Sequence, residues 1–485
     1  MTKPDTPVKE KIKEIDLSGF AHKQMIRYAT SVNEDRAVSE YHDGCKPVQR
    51  RVLWAAYTGG YRHGKAVEKS ARLVGDTLGK FHPHGDLACY GAIVNMVTAR
   101  YALLDGEGNF GSFANPKGFA APRYTNVRLS KFSELVFFDP FYLPLTRFVS
   151  NYDSKDREPL YLHSLLPNIL FNTTFAIGVG LTAKIPKFTM ESVVNTLIPV
   201  LRGTPATAES CAASLVFCTQ FGGVLAPKQG KLVRELFTTG KATLVYDSPY
   251  RINVKDKSIT FTGFAPFSNF DARAEKLAAD PDVQSTSDTS SRGQRIGEFT
   301  AYLRPRVDVK NVSEVAARLA AKLRESELYF VNVTIRTANS EVPDEPSIAL
   351  RSTTVPELLN KWAAYRVKLE VSACAYQIDI KDKEIRRVTV LRIAVANRAT
   401  IIRALDKKLD DEQLAAYLAK ALKVTVDEAK SILELRVRQL KALEDDKLVA
   451  ELKKLKALRA EYEQRKAKPN AYVVRHLQTL LKELS

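Results

Sequence analysis

The segment 121–129, APRYTNVRL, places a tyrosine directly beside an arginine, at Tyr124 and Arg123. A phenol has a pKa of about 10, so it becomes an effective nucleophile only when a base or a nearby positive charge favours the phenolate. The Arg123 guanidinium stays charged, and its planar fork of donors fits the nonbridging oxygens of a phosphate. The pair is therefore suited to covalent attack by Tyr124 on a phosphodiester.

Short helices are predicted to precede and position this segment. From about residue 15 to residue 100, apolar residues recur at helical spacing, with breaks at Gly44, Pro47, Gly59 and Gly85. Short helices joined by tight turns in a basic region are typical of helix-turn-helix DNA-binding domains. Residues 110–148 are rich in glycine and aromatic residues, which predicts loops and small strands around Tyr124.

The middle of the chain is predicted to form an α+β domain. Between residues 224 and 350, β-branched segments such as 242–246 and 331–335 alternate with helical stretches. The polar segment 280–294 is predicted to be a mobile loop within this domain.

The last third is predicted to contain two long helices packed as an antiparallel coiled-coil hairpin, with a compact helical segment at its tip. A pair of solvated helices is the alternative. The amphipathic segment 428–436 is interpreted as a dimer contact. The apolar residues that carry the pattern are Leu358, Trp362, Tyr365, Leu369 and Tyr376 in the first helix, and Leu448, Leu452, Leu455 and Tyr462 in the second.

Length and charge limit what such a chain can do. At 485 residues it should divide into about three or four domains. Its 73 Lys and Arg against 55 Asp and Glu give a net charge of +18, which favours a polyanionic partner such as nucleic acid. The five cysteines are scattered and show no CxxC spacing, which fits a reducing cytosol. No leader or membrane-spanning apolar run is visible, so the expected location is cytoplasmic, without membrane contact.

Several motifs occur in one order along the chain and carry a family resemblance. They are YATS (28–31), RA (36–37), DGCKPVQRRVL (43–53), KSARLVGD (69–76), KFHPHGD (80–86), DGEGNFGS (105–112) and RYT (123–125). Together they resemble the breakage-reunion subunit of type IIA DNA topoisomerases, which is the A-type subunit of bacterial gyrase and topoisomerase IV. Further matches lie at 167–180 and 431–444, and the resemblance is weak between about 200 and 350.

The resemblance implies an α+β multidomain fold in four parts. These are an N-terminal arm (1–30), a winged-helix (helix-turn-helix) domain with the catalytic tyrosine (31–165), a tower α+β domain (166–355), and an antiparallel coiled-coil hairpin whose terminal helical gate dimerises (356–485).

The resemblance also implies that Tyr124 and Arg123 are catalytic. Tyr124 would attack the DNA backbone and become linked to the 5′ end. Because one phosphoester replaces another, the break could be resealed without external fuel. Ile177 matches the family's apolar wedge, which inserts between base steps and kinks DNA.

A set of basic residues falls on matched positions that line the family's DNA-binding surface, where phosphate contacts position the duplex without determining sequence specificity. A run of solvated charge is the alternative. His82 is expected to be structural, in contrast to His84. The predicted DNA-binding residues are Arg36, Lys46, Arg50, Arg51, Arg72, Lys80 and His84.

Three positions depart from the family pattern. Gln49 stands where bacterial subunits usually have histidine. Leu87 and Gly91 stand where drug-sensitive enzymes carry the hydroxyl and carboxylate that anchor quinolones through a hydrated metal ion. The chain is therefore expected to be insensitive to quinolones, which strong drug-stabilised cleavage at low drug concentration would contradict.

Metal and nucleotide sites are expected in a partner rather than in this chain. No EGDSA-like block followed by Asp-x-Asp is present, and Asp410–Asp411 lies in a helical charge patch. Residues 59–65 fit GxxxxGK, but Ala66 replaces the hydroxyl residue that would hold Mg²⁺, so a tight turn is predicted. The implied assembly on double-stranded DNA is a homodimer with two ATPase and Mg²⁺-binding B-type subunits (A2B2).

The end of the sequence shapes the expected activity. No all-β DNA-wrapping domain follows the second long helix, so relaxation or decatenation is expected rather than negative supercoiling. In length the chain resembles phage-encoded topoisomerase medium subunits, which would act in the host cytoplasm.

Two other classes of function remain open at this stage. His82, His84 and Asp86 fit the opening of an HxHxD metallohydrolase signature, although Leu87 replaces the next histidine. The second class is a non-catalytic DNA clamp or architectural protein, and it predicts normal behaviour of a Tyr124→Phe variant.

Overall fold

The computed structural model describes residues 16–111, 117–172, 175–218, 222–266, 270–289, 298–337, 347–407, 409–434 and 445–484. These residues form a mixed α+β structure, which confirms the broad fold class. They divide into two compact units. The first comprises the described residues within 16–139, 146–363 and 477–484, and the second comprises those within 140–145 and 364–476.

The first part of the larger unit consists of short helices around a small antiparallel sheet of strand order β1-β3-β2. The helical prediction for about 15–100 is confirmed, and residues 59–65 form turns after α2. A π-helical turn, Asn33–Ala37, directly follows α1. The elements are α1 (Leu17–Val32), α2 (Pro47–Thr58), β1 (Glu68–Lys69), α3 (Ser70–Lys80), α4 (Asp86–Thr98), β2 (Leu104–Glu107), β3 (Asn126–Leu129) and α5 (Lys131–Phe137).

Local sequence explains where α2 begins and ends. Pro47 occupies its first position, where the missing amide proton costs nothing. The Gln49 side chain accepts a hydrogen bond from the Lys46 amide at 2.9 Å, which caps the helix. Gly59 then ends it. Gln49 thus has a structural role in the folded chain.

The rest of the larger unit contains a four-stranded antiparallel sheet (β10-β11-β13-β12), a three-stranded one (β14-β9-β8) and three hairpins. Short 3₁₀ turns lie at Asn168–Leu170 and Val309–Asn311 in this unit, and a third, Leu143–Leu145, belongs to the smaller unit. The elements are β4 (Phe148–Ser150), β5 (Arg157–Pro159), β6 (Ala176–Ile177), β7 (Thr182–Ala183), α6 (Met190–Leu201), α7 (Ala208–Ser214), β8 (Val224–Leu225), α8 (Gly230–Thr239), β9 (Lys241–Asp247), β10 (Tyr250–Asn253), β11 (Ser258–Phe261), α9 (Phe270–Ala278), β12 (Val283–Asp288), β13 (Phe299–Leu303), α10 (Val312–Leu323), β14 (Glu325–Phe330), β15 (Asn332–Thr337) and β16 (Ser347–Ser352).

The strands predicted at 242–246 and 331–335 are confirmed as β9 and β15. The loop predicted at 280–294 is wrong over residues 283–288, which form edge strand β12. Val283 is buried and the strand pairs with β13, so backbone pairing outweighs the polar composition. Residues 290–294 lie outside the described part of the chain.

The two predicted long helices are present as α11 (Val355–Ala396) and α15 (Asp445–Ala467). Ion pairs from Arg392 to Asp445 and from Arg459 to Asp382 show that the helices run antiparallel. Most of the predicted apolar positions are buried, whereas Tyr376 is 39% exposed. The remaining helices are α12 (Arg398–Leu405), α13 (Asp411–Leu422), α14 (Val426–Leu433) and α16 (Pro469–Leu484), and residues 435–436 of the proposed dimer contact lie outside the described residues.

Candidate nucleic-acid interface

A tight turn presents Tyr124 to solvent. The Tyr124 amide donates to the Ala121 carbonyl at 2.9 Å, which closes the turn. The Tyr124 side chain is 63% exposed, and the Arg123 Cζ atom lies 4.6 Å from the centroid of its ring. The exposed phenol therefore carries a guanidinium against its face, where a phosphate approaching the hydroxyl would meet a positive charge.

Helices α3 and α4 fix this turn through the buried residue Thr125. Its carbonyl accepts a hydrogen bond from the Ser70 amide at 2.9 Å, and the Ala71 amide donates to the Pro122 carbonyl at 3.1 Å. The Thr125 hydroxyl lies 2.8 Å from both the Tyr90 hydroxyl and Ser70 Oγ. No individual role was predicted for Ser70 or Tyr90 from the sequence. The signal that could have indicated such a role is a hydroxyl residue at a buried position of a helix that precedes the nucleophile.

A second group of residues comes from the π-helical turn, from α2 and from the loop that precedes α4. We call Arg36, Arg51, His82 and His84 the His82 cluster. Arg51 makes a bidentate ion pair with Glu158 at 2.6 and 2.8 Å, and its Nη1 lies 3.2 Å from His82 Nδ1. The rings of His82 and His84 meet edge to face with centroids 4.5 Å apart. His84 and Arg36 are exposed, so they are the members that can reach a ligand.

The environment of His82 keeps it neutral. Burial lowers its pKa to about 4, and the charges of Arg51, His84 and Arg36 lower it in the same direction. Because arginine can only donate, His82 Nδ1 must be the acceptor of the Arg51 hydrogen bond. This arrangement supports the structural role expected for His82.

The depressed pKa of His82 predicts a loss of stability in mild acid. The unfolded chain binds a proton on this histidine below a pH of about 6.5, and the folded chain only near pH 4. Stability is therefore complete above about pH 6.5 and falls as pH drops towards 4, by on the order of 1–2 kcal/mol at pH 5. The His82→Gln variant, which keeps an acceptor for Arg51 but cannot be protonated, should lose less stability between pH 7 and pH 5.

The measurement is the urea midpoint of unfolding at the two pH values. The exposed His22 provides the control, since His22→Gln should retain the parent's pH dependence. An unchanged pH dependence in His82→Gln would contradict the assignment.

Among the remaining basic residues, some side chains are exposed and others are hydrogen-bonded within the protein. Arg72 is exposed on α3 and pairs with Glu68 at 3.1 Å, and Lys80 is exposed at the end of the same helix. The Lys46 ammonium donates to the Phe175 carbonyl at 3.0 Å, and burial lowers the pKa of Lys46 to about 8.

Arg50 does not lie on the surface. Its side chain is buried and makes a bidentate ion pair with the fully buried Asp43, at 2.5 and 3.1 Å. A guanidinium satisfied in this way is withdrawn from solvent. The structure therefore gives no support to the expected phosphate contact by Arg50, and a structural role explains its surroundings.

Several apolar residues stand exposed beside these charges. Ile177, at the end of β6, is 71% exposed, and Leu87, in the first turn of α4, is 77% exposed. A Cβ added at Gly91 would meet no atom within 4 Å. The Ile177 side chain is thus placed where it could enter a ligand rather than the core.

The structure does not join the two groups directly. Within the described ranges, Tyr124 and Arg123 make no hydrogen bond, ion pair or ring contact with the His82 cluster. The same residues contain no group of three His, Cys, Asp or Glu side chains that could hold a metal ion. No helix in the part of the chain described here is both long and apolar enough to cross a bilayer.

The net charge of +18 and the exposed Arg123 and Tyr124 side chains are suited to a polyanionic ligand. Residues 36–480 match the sequence profile of the family described as the A subunit of DNA gyrase/topoisomerase IV. The chain belongs to this family, which confirms the resemblance carried by the motifs.

Individual relatives agree with the family match. The chain is 30% identical over 456 residues to the A subunit of DNA gyrase from Helicobacter pylori strain J99, covering 92% of this chain and 53% of the relative. It is 29% identical over 464 residues to the A subunit of DNA topoisomerase 4 from Haemophilus influenzae, covering 94% of this chain and 60% of the relative. The chain therefore spans little more than half of the length of these relatives.

Proposed function

We propose that this chain is the DNA-cleaving and rejoining subunit of an ATP-dependent type II topoisomerase, which relaxes or decatenates DNA. The observation that carries the proposal is the exposed Tyr124 with Arg123 packed 4.6 Å from its ring centroid, in a member of the gyrase and topoisomerase IV A family. The HxHxD metallohydrolase alternative receives no support. His82 accepts a hydrogen bond from Arg51 and lies in no cluster of metal ligands among the described residues.

The proposed reaction exchanges one phosphoester for another. The Tyr124 oxygen attacks the phosphorus of a backbone phosphodiester, the new O–P bond forms, and the bond from phosphorus to the 3′ oxygen breaks. The phenolic proton is lost and the departing 3′ oxygen gains one, so no net proton is consumed. Arg123 donates to the nonbridging oxygens as charge develops on them. Attack by the 3′ hydroxyl reverses every step and reseals the strand.

Four exposed side chains define the proposed path of the duplex. Arg36, Arg72, Lys80 and His84 are able to reach phosphates, which would fix the register of the DNA. Arg51 contacts both Glu158 and His82 and so orients the His82 ring. The Lys46 ammonium donates a hydrogen bond to the Phe175 carbonyl. Arg50 is left out of this set. Ile177 is the proposed wedge between base steps.

The proposed assembly follows the family resemblance. The described residues of this chain do not form a ligand set for Mg²⁺, so they do not fit a resident metal site and no step above passes through a metal. We assign Mg²⁺ and ATP to a B-type partner, in an A2B2 complex built on a homodimer of this chain.

The finer domain interpretation also belongs to this proposal. Helices α2 to α4 with the sheet β1-β3-β2 support a winged-helix domain. The antiparallel helices α11 and α15 support a coiled-coil hairpin ending in a dimerising gate. The sheets β8 to β14 support a tower domain. The boundaries at 30, 165 and 355 stay predictions.

The class of protein can be tested by trapping the intermediate. The chain is mixed with a candidate B-type partner, plasmid, Mg²⁺ and ATP, and the reaction is stopped with denaturant. Linear DNA linked to protein, with the nucleotide mapped by peptide sequencing to Tyr124, is expected. A DNA clamp would bind plasmid and yield no adduct, and an adduct on another side chain would contradict the assignment of Tyr124.

The proposed phosphate contacts predict a specific salt dependence. Lys80→Ala should weaken binding to duplexes of any sequence and reduce the slope of log K against log salt by about 0.9. The measurement is fluorescence anisotropy with a labelled duplex across salt concentrations. Lys231→Ala, at an exposed position of α8, is the control and should keep the parent's slope. Equal slopes in the parent and Lys80→Ala would remove Lys80 from the interface.

A further inference from the structure

The Ile177 hairpin, residues 176–183, is too small to hold itself in place. Its two strands pair only at Ala176 with Ala183 and at Ile177 with Thr182. The Gly178 amide closes the turn onto the Leu181 carbonyl at 2.8 Å. An isolated two-stranded ribbon of this length is unstable in water, so its geometry must be set by contacts from elsewhere.

One distant side chain supplies such a contact at the turn. The Asn33 Nδ2 atom donates to the Val179 carbonyl at 3.1 Å, and the Val179 amide donates to Asn33 Oδ1 at 3.0 Å. Asn33 is 7% exposed, so these two bonds are shielded from water. A side-chain amide that pairs with both polar groups of one residue fixes the orientation of that residue as well as its distance.

Gly178 makes this approach possible. A Cβ at this position would lie 1.8 Å from Asn33 Oδ1 and 2.9 Å from Asn33 Cγ. Any side chain at 178 would therefore displace the Asn33 amide from the turn. The absence of a side chain at Gly178, beside the proposed wedge, is therefore what leaves room for the Asn33 amide.

The backbone turn that carries Asn33 is also held by contacts. Asn33 opens the π-helical turn Asn33–Ala37, which carries Arg36, and such turns are frequent at functional sites. The Arg336 guanidinium donates to the Glu34 carbonyl at 2.6 Å, and Ala37 and Val38 pack with Ala176 and Ala183. Asn33, which bonds to the hairpin, thus lies three positions before the exposed Arg36 in the same π-helical turn.

We propose that Asn33 is a positioning residue that holds the Ile177 hairpin in register with Arg36, so that base-step insertion and phosphate contact occur together. The proposal rests on the proposed wedge function of Ile177. Asn33 itself touches no DNA and acts through the backbone of Val179.

The test measures DNA bending by the full chain in the Tyr124→Phe background, assembled with Mg²⁺ and its B-type partner. Energy transfer between dyes at the two ends of a duplex reports the ratio of bent to straight DNA. Asn33→Ala should lower this ratio about tenfold, because two shielded hydrogen bonds to the hairpin are lost. Gly178→Ala should have the same effect by displacing the Asn33 amide, and Ile177→Ala should lower the ratio at least as far.

A double variant separates positioning from general damage. If Asn33 acts through Ile177, the double variant Asn33→Ala with Ile177→Ala bends DNA no less than Ile177→Ala alone. Asn360 offers a matched control, since it makes the same paired bonds to the backbone of Ala206, at 2.8 and 2.9 Å, away from the hairpin. Asn360→Ala should bend DNA like the parent.

Each contrary outcome has a distinct meaning. Parent-like bending by Asn33→Ala, or additive losses in the double variant, would overturn the positioning role while leaving the wedge intact. An equal loss of bending in Asn360→Ala and Asn33→Ala would also overturn the positioning role. Losing any asparagine that bonds to the backbone in this way would then be enough to reduce bending. Parent-like bending by Ile177→Ala would overturn the wedge itself, and the role of Asn33 with it.

Discussion

Replacing Tyr124 with phenylalanine is expected to abolish the covalent complex with DNA, with a fall in protein-linked DNA of more than about a thousandfold. The substitution removes only the oxygen that forms the ester. The phenylalanine ring can still pack against Arg123, and the turn is held by Thr125, Ser70 and Ala71 rather than by the Tyr124 hydroxyl. DNA binding and folding should therefore be retained while cleavage is lost.

The measurement is the amount of linear, protein-linked plasmid after denaturation of the reconstituted complex. Tyr302 is the matched control, because it is 38% exposed and lies on β13 in another sheet. Tyr302→Phe should cleave like the parent. Adduct formation by Tyr124→Phe would contradict the proposed chemistry, and parent-like strand passage by this variant would favour the clamp function.

Replacing Asp43 with alanine is expected to have the largest effect on stability, a loss of about 3–5 kcal/mol in the free energy of unfolding. Asp43 is fully buried and its carboxylate accepts four hydrogen bonds. Two come from Arg50, and the others come from the amides of Cys45 and Leu162 at 2.9 and 3.0 Å. Without the carboxylate, the Arg50 charge would remain in the interior without the anion that is bonded to it.

Urea unfolding of the parent and the variant gives this difference. Asp379 provides a control, since it is 60% exposed and pairs with Lys383 at 2.7 Å. Asp379→Ala should change stability by less than about 1 kcal/mol, because exposed ion pairs contribute little. If Arg50 contacted DNA instead, Asp43→Ala would free its guanidinium, and tighter DNA binding without loss of stability would be found.

The site was predictable from sequence where its parts are neighbours in the chain. Arg123 and Tyr124 are adjacent residues, so their proximity needed no tertiary information. The helices before them followed from periodicity, and the ordered motifs indicated the family. These features depend on local spacing, which the sequence displays directly.

The parts that escaped prediction depend on long-range or backbone effects. Arg50 looked like a member of a basic run, but the preceding loop folds back so that Asp43 meets it. That fold-back needs Gly44, which has φ of +67° and lies so close to Ile169 that a Cβ would come within 2.4 Å of its amide nitrogen. The bonds from Asn33 to Val179 span 146 positions, and no local pattern reveals them.

Polar composition was a poor guide for β12. Ser285, Thr286 and Ser287 looked like loop residues, but an edge strand needs only one neighbour and tolerates polar side chains on its open side. The backbone pairing with β13 could not be read from the segment alone. Exposure of Tyr376 similarly reflects how α11 is packed, which helical periodicity does not determine.

The openness of the first turns of α4 has a consequence for how this protein can evolve. Leu87 is 77% exposed and the space beside Gly91 is empty, so both positions can accept new side chains without disturbing the interior. Mutational paths through these two positions are therefore free of a folding barrier, and substitutions there need no compensating second mutation in the interior. The sequence at this surface can therefore drift without cost to the fold.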